Sequence, residues 1–371
     1  MQLFKLRPSI HQFDNFAEFA AEFKLGEKDL VITNEFIYEP YMKAANTKCH
    51  FIFQEKYGSG EPSDKMMNAM LADVKKFEYD RVIAIGGGTV IDSAKLFCLA
   101  GVNDVVDAFE RTIPIKKDKG LVIIPTTCGT GSEVTNISIA ELISKGTKKG
   151  LADDELLADA AVLIPELLTG LPFRFYAASS IDALIHAVES LVAPKSNPYT
   201  EVYAKVAIEM IIKVFKAVAE KGEEERKKYF LEMSMASNFA GIAFGNTGVG
   251  AVHALSYPMG GTYHVPHGES NFLFFTKVFE VYQAKQPKGS IEEANRIMAR
   301  ELGCDVKDVY KELDTLLGKL LEKKPLREYG MKEVEIEEFA DKVIETQQRL
   351  LNNNYVELSR DEIRDIYKAL Y

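Results

Sequence analysis

Over the first half of the chain, short apolar runs alternate with longer stretches of helical periodicity. Residues 29–34 (DLVITN) and 49–54 (CHFIFQ) read as strands. The stretch 63–77 (SDKMMNAMLADVKKF) repeats its apolar positions at helical spacing behind Ser63, a suitable N-cap. Residues 81–88 (RVIAIGGG) and 120–127 (GLVIIPTT) are nearly unbroken apolar runs, as strands buried on both faces of a parallel sheet are. Strand, helix, strand in this rhythm predicts βαβ units. Beyond about residue 171 the strand signal fades. Five long helical patterns follow, at 171–192, 197–222, 225–244, 290–303 and 333–353, and Pro172 helps to break the chain before them. The expected organisation is an α/β domain with a parallel sheet over 1–173 and an all-helical domain over 174–371.

Composition narrows the function classes. Of 371 residues, 47% are hydrophobic and 27% charged, ordinary values for a globular protein. A formal charge of −10 and a pI near 5.3 argue against nucleic acid as partner, since phosphate contacts need a basic face. The four cysteines, Cys49, Cys98, Cys128 and Cys304, are scattered, so neither a disulfide framework nor a cysteine zinc site is expected. The opening MQLFKLRPSIHQF lacks the apolar core of a signal peptide, and no apolar run reaches the roughly 20 residues of a membrane span. A reduced, cytoplasmic protein is the expectation.

Two glycine-rich segments follow buried strands. In IGGGTVIDSAK (85–95), Gly86, Gly87 and Gly88 let the backbone approach a ligand closely, and the helix start behind them favours a phosphate. Thr89 is the expected cap, with Asp92 three residues on as a capping-box variant. The segment is neither a G-x-G-x-x-G fingerprint nor a Walker loop. In PTTCGTGSEVT (125–135), the hydroxyls of Thr126, Thr127, Thr130, Ser132 and Thr135 surround Gly129 and Gly131. Both turns lie at strand ends where open α/β sheets bind ligands, so a dinucleotide across the two is the simplest reading.

Asp182 and His186 are four residues apart in an apolar helical stretch and share one face. On its own such a pair is more often a local hydrogen bond or a satisfied core polar pair than a pair of metal ligands. Residues 245–271 hold three of the chain's six histidines, His253, His264 and His267. Pro258 is expected to end the helix that carries His253. One carboxylate with several imidazoles suits Zn²⁺ or Fe²⁺ acting as a Lewis acid on a hydroxyl.

GGGTVIDSAK, PTTCGTGSEVT, IDALIHAVE and HALSYPMGGTYHVPHGESN occur in the order and spacing of the iron-containing (group III) alcohol dehydrogenases, and the chain resembles that family along its whole length. The resemblance implies a dehydroquinate synthase-like architecture and a homodimeric NAD(P)-dependent oxidoreductase. It implies Asp182, His186, His253 and His267 as ligands of one Fe²⁺ or Zn²⁺, with His264 outside the set. It implies Gly86, Gly87, Gly88 and Thr89 at the pyrophosphate, Thr126, Thr127, Thr130 and Thr135 along the cofactor, and Lys149, with Lys148 as its rival, at the nicotinamide-side ribose. No separate protein base is assigned. The expected substrate pair is 4-hydroxybutyrate and succinate semialdehyde; a simple alcohol or diol, or a dehydroquinate synthase-like lyase reaction, is the alternative. His264, Lys195 and Tyr263 are possible anchors for a substrate carboxylate.

Three positions depart from the family pattern. Tyr257 stands where many members have a histidine, which makes it a pocket residue without an imidazole relay. Asn34 replaces an aspartate that rejects a 2′-phosphate. Glu61–Pro62 replaces Asn-Pro and adds negative charge. NAD is expected over NADP.

Overall fold

The computed structural model describes residues 2–371 as two compact units: Leu6–Leu171, and Pro172–Tyr371 together with the N-terminal residues up to Lys5. The first unit runs β1 (Ser9–Gln12), α1 (Phe16–Glu22), β2 (Asp29–Thr33), α2 (Glu35–Ile37), β3 (His50–Phe53), α3 (Asp64–Val74), β4 (Arg81–Gly86), α4 (Gly88–Phe97), α5 (Val105–Phe109), β5 (Gly120–Pro125), β6 (Ile137–Leu142), β7 (Thr147–Ala152) and β8 (Ala160–Leu163). Six strands form one parallel sheet in the order β1-β8-β5-β4-β2-β3, and β6 and β7 form an antiparallel hairpin.

The unbroken apolar runs have a simple cause. Leu30, Ile32, Val82, Ala84, Leu121 and Ile123 face one buried layer, and Val31, Ile83, Ile85, Val122 and Ile124 face the other. Met66, Met67 and Met70 of α3 pack into the first layer. From β2 the chain moves outward to β3, whereas from β4 it moves the opposite way to β5. The carboxyl ends of β2 and β4 therefore flank a topological switch point, where such sheets bind ligands.

Four strands were not among those expected, β1, β6, β7 and the short, fully buried β8 (AAVL), and two of them are polar. β1 (SIHQ) is a largely exposed edge strand, and β7 (TKKGLA) carries two lysines and a glycine; backbone pairing holds both. The cap of α4 also differs. Gly87 is the N-cap, and Thr89 lies inside the first turn, where its hydroxyl donates to the Gly60 carbonyl at 2.9 Å. Asp92 turns inward instead of capping: it accepts from Ser132 Oγ at 2.9 Å and from the Ile139 N–H at 3.0 Å.

The second unit is built from α6 (Phe173–Val192), α7 (Pro198–Lys221), α8 (Phe230–Thr247), α9 (Ala251–Tyr263), α10 (His267–Lys285), α11 (Ser290–Leu302), α12 (Val309–Gly318), α13 (Glu335–Thr346), α14 (Gln348–Leu351) and α15 (Arg360–Leu370). Helix α6 is its axis, packed by α7, α8 and α10, and every residue from 180 to 192 is buried. The N-terminal residues join this unit because Phe4 stacks on Tyr203 at 5.7 Å and the Lys5 N–H donates to Asn246 Oδ1 at 2.6 Å.

Pro258 does not end α9; the helix continues to Tyr263. A mid-helix proline removes one hydrogen bond and crowds the preceding turn. Here side chains donate to nearby carbonyls: Ser256 Oγ to His253, Tyr367 Oη to Leu255, and Ser270 Oγ to Ser256. Among the described residues no helix is long and apolar enough to cross a membrane.

Candidate functional site

Three helices of the second unit bring Asp182, His186, His253 and His267 together, with one potential ligand atom from each lying within 4.8 Å of the others. Helix α6 contributes Asp182 and His186 from successive turns, α9 contributes His253 from its first turn, and α10 contributes His267 as its first residue. The approach of α10 to α6 depends on Gly268, since a Cβ there would lie 2.3 Å from the Ala178 carbonyl oxygen.

The spacing fits a small cation. The Nε2 atoms of His253 and His267 lie 3.8 Å from Asp182 carboxylate oxygens. A tetrahedral ion with bonds of about 2.1 Å sets its ligand atoms about 3.4 Å apart. His186 and His253 face each other Nε2 to Nε2 at 3.0 Å, a contact that cannot hold a proton on both nitrogens. A cation between the rings satisfies both lone pairs.

Around the cluster the protein supplies orientation and dryness. Glu189, one turn past His186, accepts from the Val252 N–H at 2.8 Å and holds His253 Nδ1 at 2.6 Å, which directs Nε2 of that ring into the cluster. Gly250 makes room, because a Cβ there would stand 3.3 Å from Glu189 Oε1. Phe244 stacks on His186 at 4.1 Å. Asn271 Nδ2 donates to Asp182 Oδ1 at 2.7 Å and lies 3.2 Å from His267 Nε2. Burial pushes the Asp182 carboxyl up, but the three imidazoles and the Asn271 amide outweigh it and hold the group below its ordinary value.

The other three side chains of the cluster are shut in, whereas His267 is 31% exposed, so the cluster opens on the His267 side. Tyr257 stands there, its ring 6.4 Å from that of His267. His264 is an exposed residue in the left-handed conformation (φ +54) at the end of α9, outside the cluster. Tyr263 gives its hydroxyl to Glu335, and Lys195 lies on the exposed loop before α7. Glu189 and Asn271 were not singled out in the sequence. A carboxylate one turn past His186, and an amide one turn past His267, were the available signals.

In the first unit the two glycine-rich turns face each other. Gly87 and Gly88 lie against the methyl groups of Thr127 and Thr130: a Cβ on each would come within 3.7 and 3.5 Å of them. The Thr126 N–H donates to the Gly86 carbonyl at 3.1 Å. Helix α4 has no side-chain cap, which leaves its first-turn N–H groups for an anion. Thr135 is turned inward. Its hydroxyl and that of Ser132 accept from the buried Lys95 ammonium at 3.3 and 2.8 Å, and the Ile137 carbonyl accepts at 2.6 Å. Lys149, on β7, pairs with Glu110 at 2.9 Å, and Lys148 pairs with Glu61 at 2.6 Å.

Comparison with known proteins gives two family matches, "Iron-containing alcohol dehydrogenase" over residues 9–165 and "Fe-containing alcohol dehydrogenase family, C-terminal" over residues 176–371. A 4-hydroxybutyrate dehydrogenase of Clostridium kluyveri is 53% identical over 371 residues, all of both chains. An iron-containing alcohol dehydrogenase structure from Thermococcus thioreducens superposes with a TM-score of 0.83 at 26% identity, over 99% of each chain. A sulfoacetaldehyde reductase from Bifidobacterium kashiwanohense, solved with NAD⁺, shares the fold at a TM-score of 0.86 and 23% identity, covering 100% of this chain and 99% of its own.

Proposed function

The chain belongs to the iron-containing alcohol dehydrogenase family, and from that premise we propose that it interconverts 4-hydroxybutyrate and succinate semialdehyde with NAD and one divalent ion, Fe²⁺ before Zn²⁺. The observation that carries the reading is the four-residue cluster of Asp182, His186, His253 and His267 in a chain 53% identical, end to end, to a 4-hydroxybutyrate dehydrogenase.

In this reading Asp182 and the three imidazoles hold the ion. When bound, the ion supplies Lewis acidity that lowers the pKa of the substrate hydroxyl. Glu189 keeps His253 in the tautomer with a free Nε2, and its charge, added to that of Asp182, offsets both charges of the ion. Phe244 and the buried turns of α6 exclude water from the inner side, and Tyr257 stands beside the open side as a pocket residue. The uncapped start of α4, with Gly87 and Gly88, holds the cofactor pyrophosphate, and Thr127 and Thr130 flank it. NAD supplies the acceptor for the hydride of the carbinol carbon.

The test is a substrate panel on metal-stripped protein with Fe²⁺ or Zn²⁺ restored. NADH formation with 4-hydroxybutyrate, exceeding that with butanol, 1,3-propanediol or glycerol, is the expected result. A preference for the simple alcohols would remove the hydroxy-acid assignment and leave the family. Return of the cofactor unchanged would point to a lyase.

A further inference from the structure

The end of β2 carries Asn34, an uncharged residue where dinucleotide folds place an acid for the ribose. The structure places a carboxylate beside it from another strand. Thr33 pairs with Phe53, so the chain leaving β3 passes next to Asn34. Glu55, two residues past Phe53, accepts from Asn34 Nδ2 at 3.0 Å and from the Glu35 N–H. Gln54 Oε1 accepts from the same Asn34 amide at 3.2 Å. The amide at position 34 is complementary to this arrangement: an aspartate would set two carboxylates about 3 Å apart, where one must give up its charge. On the other side of β2, Ile32 pairs with Ala84, which puts Asn34 level with the Gly86 turn, with Glu55 beside Asn34 on the β3 side.

We infer that Glu55 is the residue that sets the preference for a nicotinamide cofactor without a 2′-phosphate. This deepens the proposed function and rests on its reading of the cofactor site. The Glu55 carboxylate lies at the level of the adenosine ribose, accepts from its hydroxyls and repels a phosphate there. Glu61 has no such role, since Lys148 is paired with it at 2.6 Å. The nearby Lys56 ammonium rests over the Phe53 ring at 4.6 Å, and Lys43 pairs with Glu39 at 2.8 Å.

The experiment is calorimetric binding of AMP and of adenosine 2′,5′-bisphosphate to the full chain and to Glu55→Gln, Glu55→Lys and Glu61→Gln. Glu55 is exposed, and melting curves of the variants report whether they fold. Wild type is expected to bind AMP in preference. Glu55→Gln should narrow the ratio about ten-fold, as the loss of one like-charge contact does, and Glu55→Lys should invert it. Glu61→Gln should leave it unchanged. A folded Glu55→Gln with the wild-type ratio would overturn the inference alone. Failure of wild type to bind either nucleotide would overturn the cofactor reading with it.

Discussion

Glu189 Oε2 lies 2.6 Å from Nδ1 of His253, with both side chains buried. The same carboxylate receives the Val252 N–H, so one acid fixes both the entry of α9 and the ring that α9 presents. Its removal leaves His253 free to turn or to change tautomer. Glu189→Gln is expected to weaken divalent-ion binding by about 10- to 100-fold, the usual cost of losing a partner behind a ligating imidazole. Competition with a chelator, followed with Co²⁺ as a spectroscopic ion, measures this. An unchanged affinity and spectrum would mean that Glu189 serves only to pack the helix.

Gly268 couples backbone packing to the site. A methyl group there would sit 2.3 Å from the Ala178 carbonyl oxygen and 3.2 Å from Asp182 Cβ. Neither neighbour is a flexible side-chain end, so α10 must shift. Gly268→Ala is expected to cost about 1–3 kcal/mol, typical of overpacking, and to carry His267 away from Asp182. Urea unfolding and bound-metal analysis on the same preparation should show both losses together.

Much of this was readable in advance, for reasons tied to range. The central parallel strands β4 and β5 were legible because both faces of Val82–Ile85 and Leu121–Ile124 are buried, which writes an unbroken apolar run. Asp182 and His186 were legible as a pair because helical spacing is local. That His253 and His267 join them came from the resemblance, since nothing local ties residues so far apart. Glu189, Asn271, Lys95 and Glu55 stayed hidden because each acts through a partner on another element. Pro258 misled for the same reason: the donors from Tyr367 and Ser270 come from α15 and α10.

Lys95 should make stability depend on pH. Burial pushes its ammonium down to about 8, against the pull of Asp92 and Glu133. The unfolded chain therefore binds the extra proton between about 8 and the ordinary lysine value near 10.5, and stability rises with pH across that window. The slope is at most about 1.4 kcal/mol per pH unit for one proton. Lys95→Met is expected to abolish the rise. It should also destabilise at pH 7 by about 1–3 kcal/mol, because Ser132, Thr135 and the Ile137 carbonyl lose the ammonium that donates to them in a buried site. Urea unfolding at a series of pH values from 7.5 to about 9.5 reads both effects; a rise that persists in the variant would assign it to another group.

Metal removal should loosen the second unit through α6, α9 and α10 at once. Their contact gathers a buried carboxylate and three imidazoles, with two Nε2 atoms 3.0 Å apart, an arrangement that a bound cation would make favourable. A ligand that binds only the folded state adds RT ln(1 + [L]/Kd), about 4 kcal/mol at a thousand-fold excess over Kd. The melting temperature of stripped protein is expected to climb with added Fe²⁺, held anaerobic, or with Zn²⁺. His186→Ala should flatten that dependence, since its ring is stacked on Phe244 inside the cluster and no exposed group replaces it. The control is His264→Ala, which should keep the full dependence because His264 lies outside the cluster on the exposed end of α9. Equal flattening in both variants would show that the ion acts elsewhere. Calorimetry of the three proteins against metal concentration decides between these outcomes.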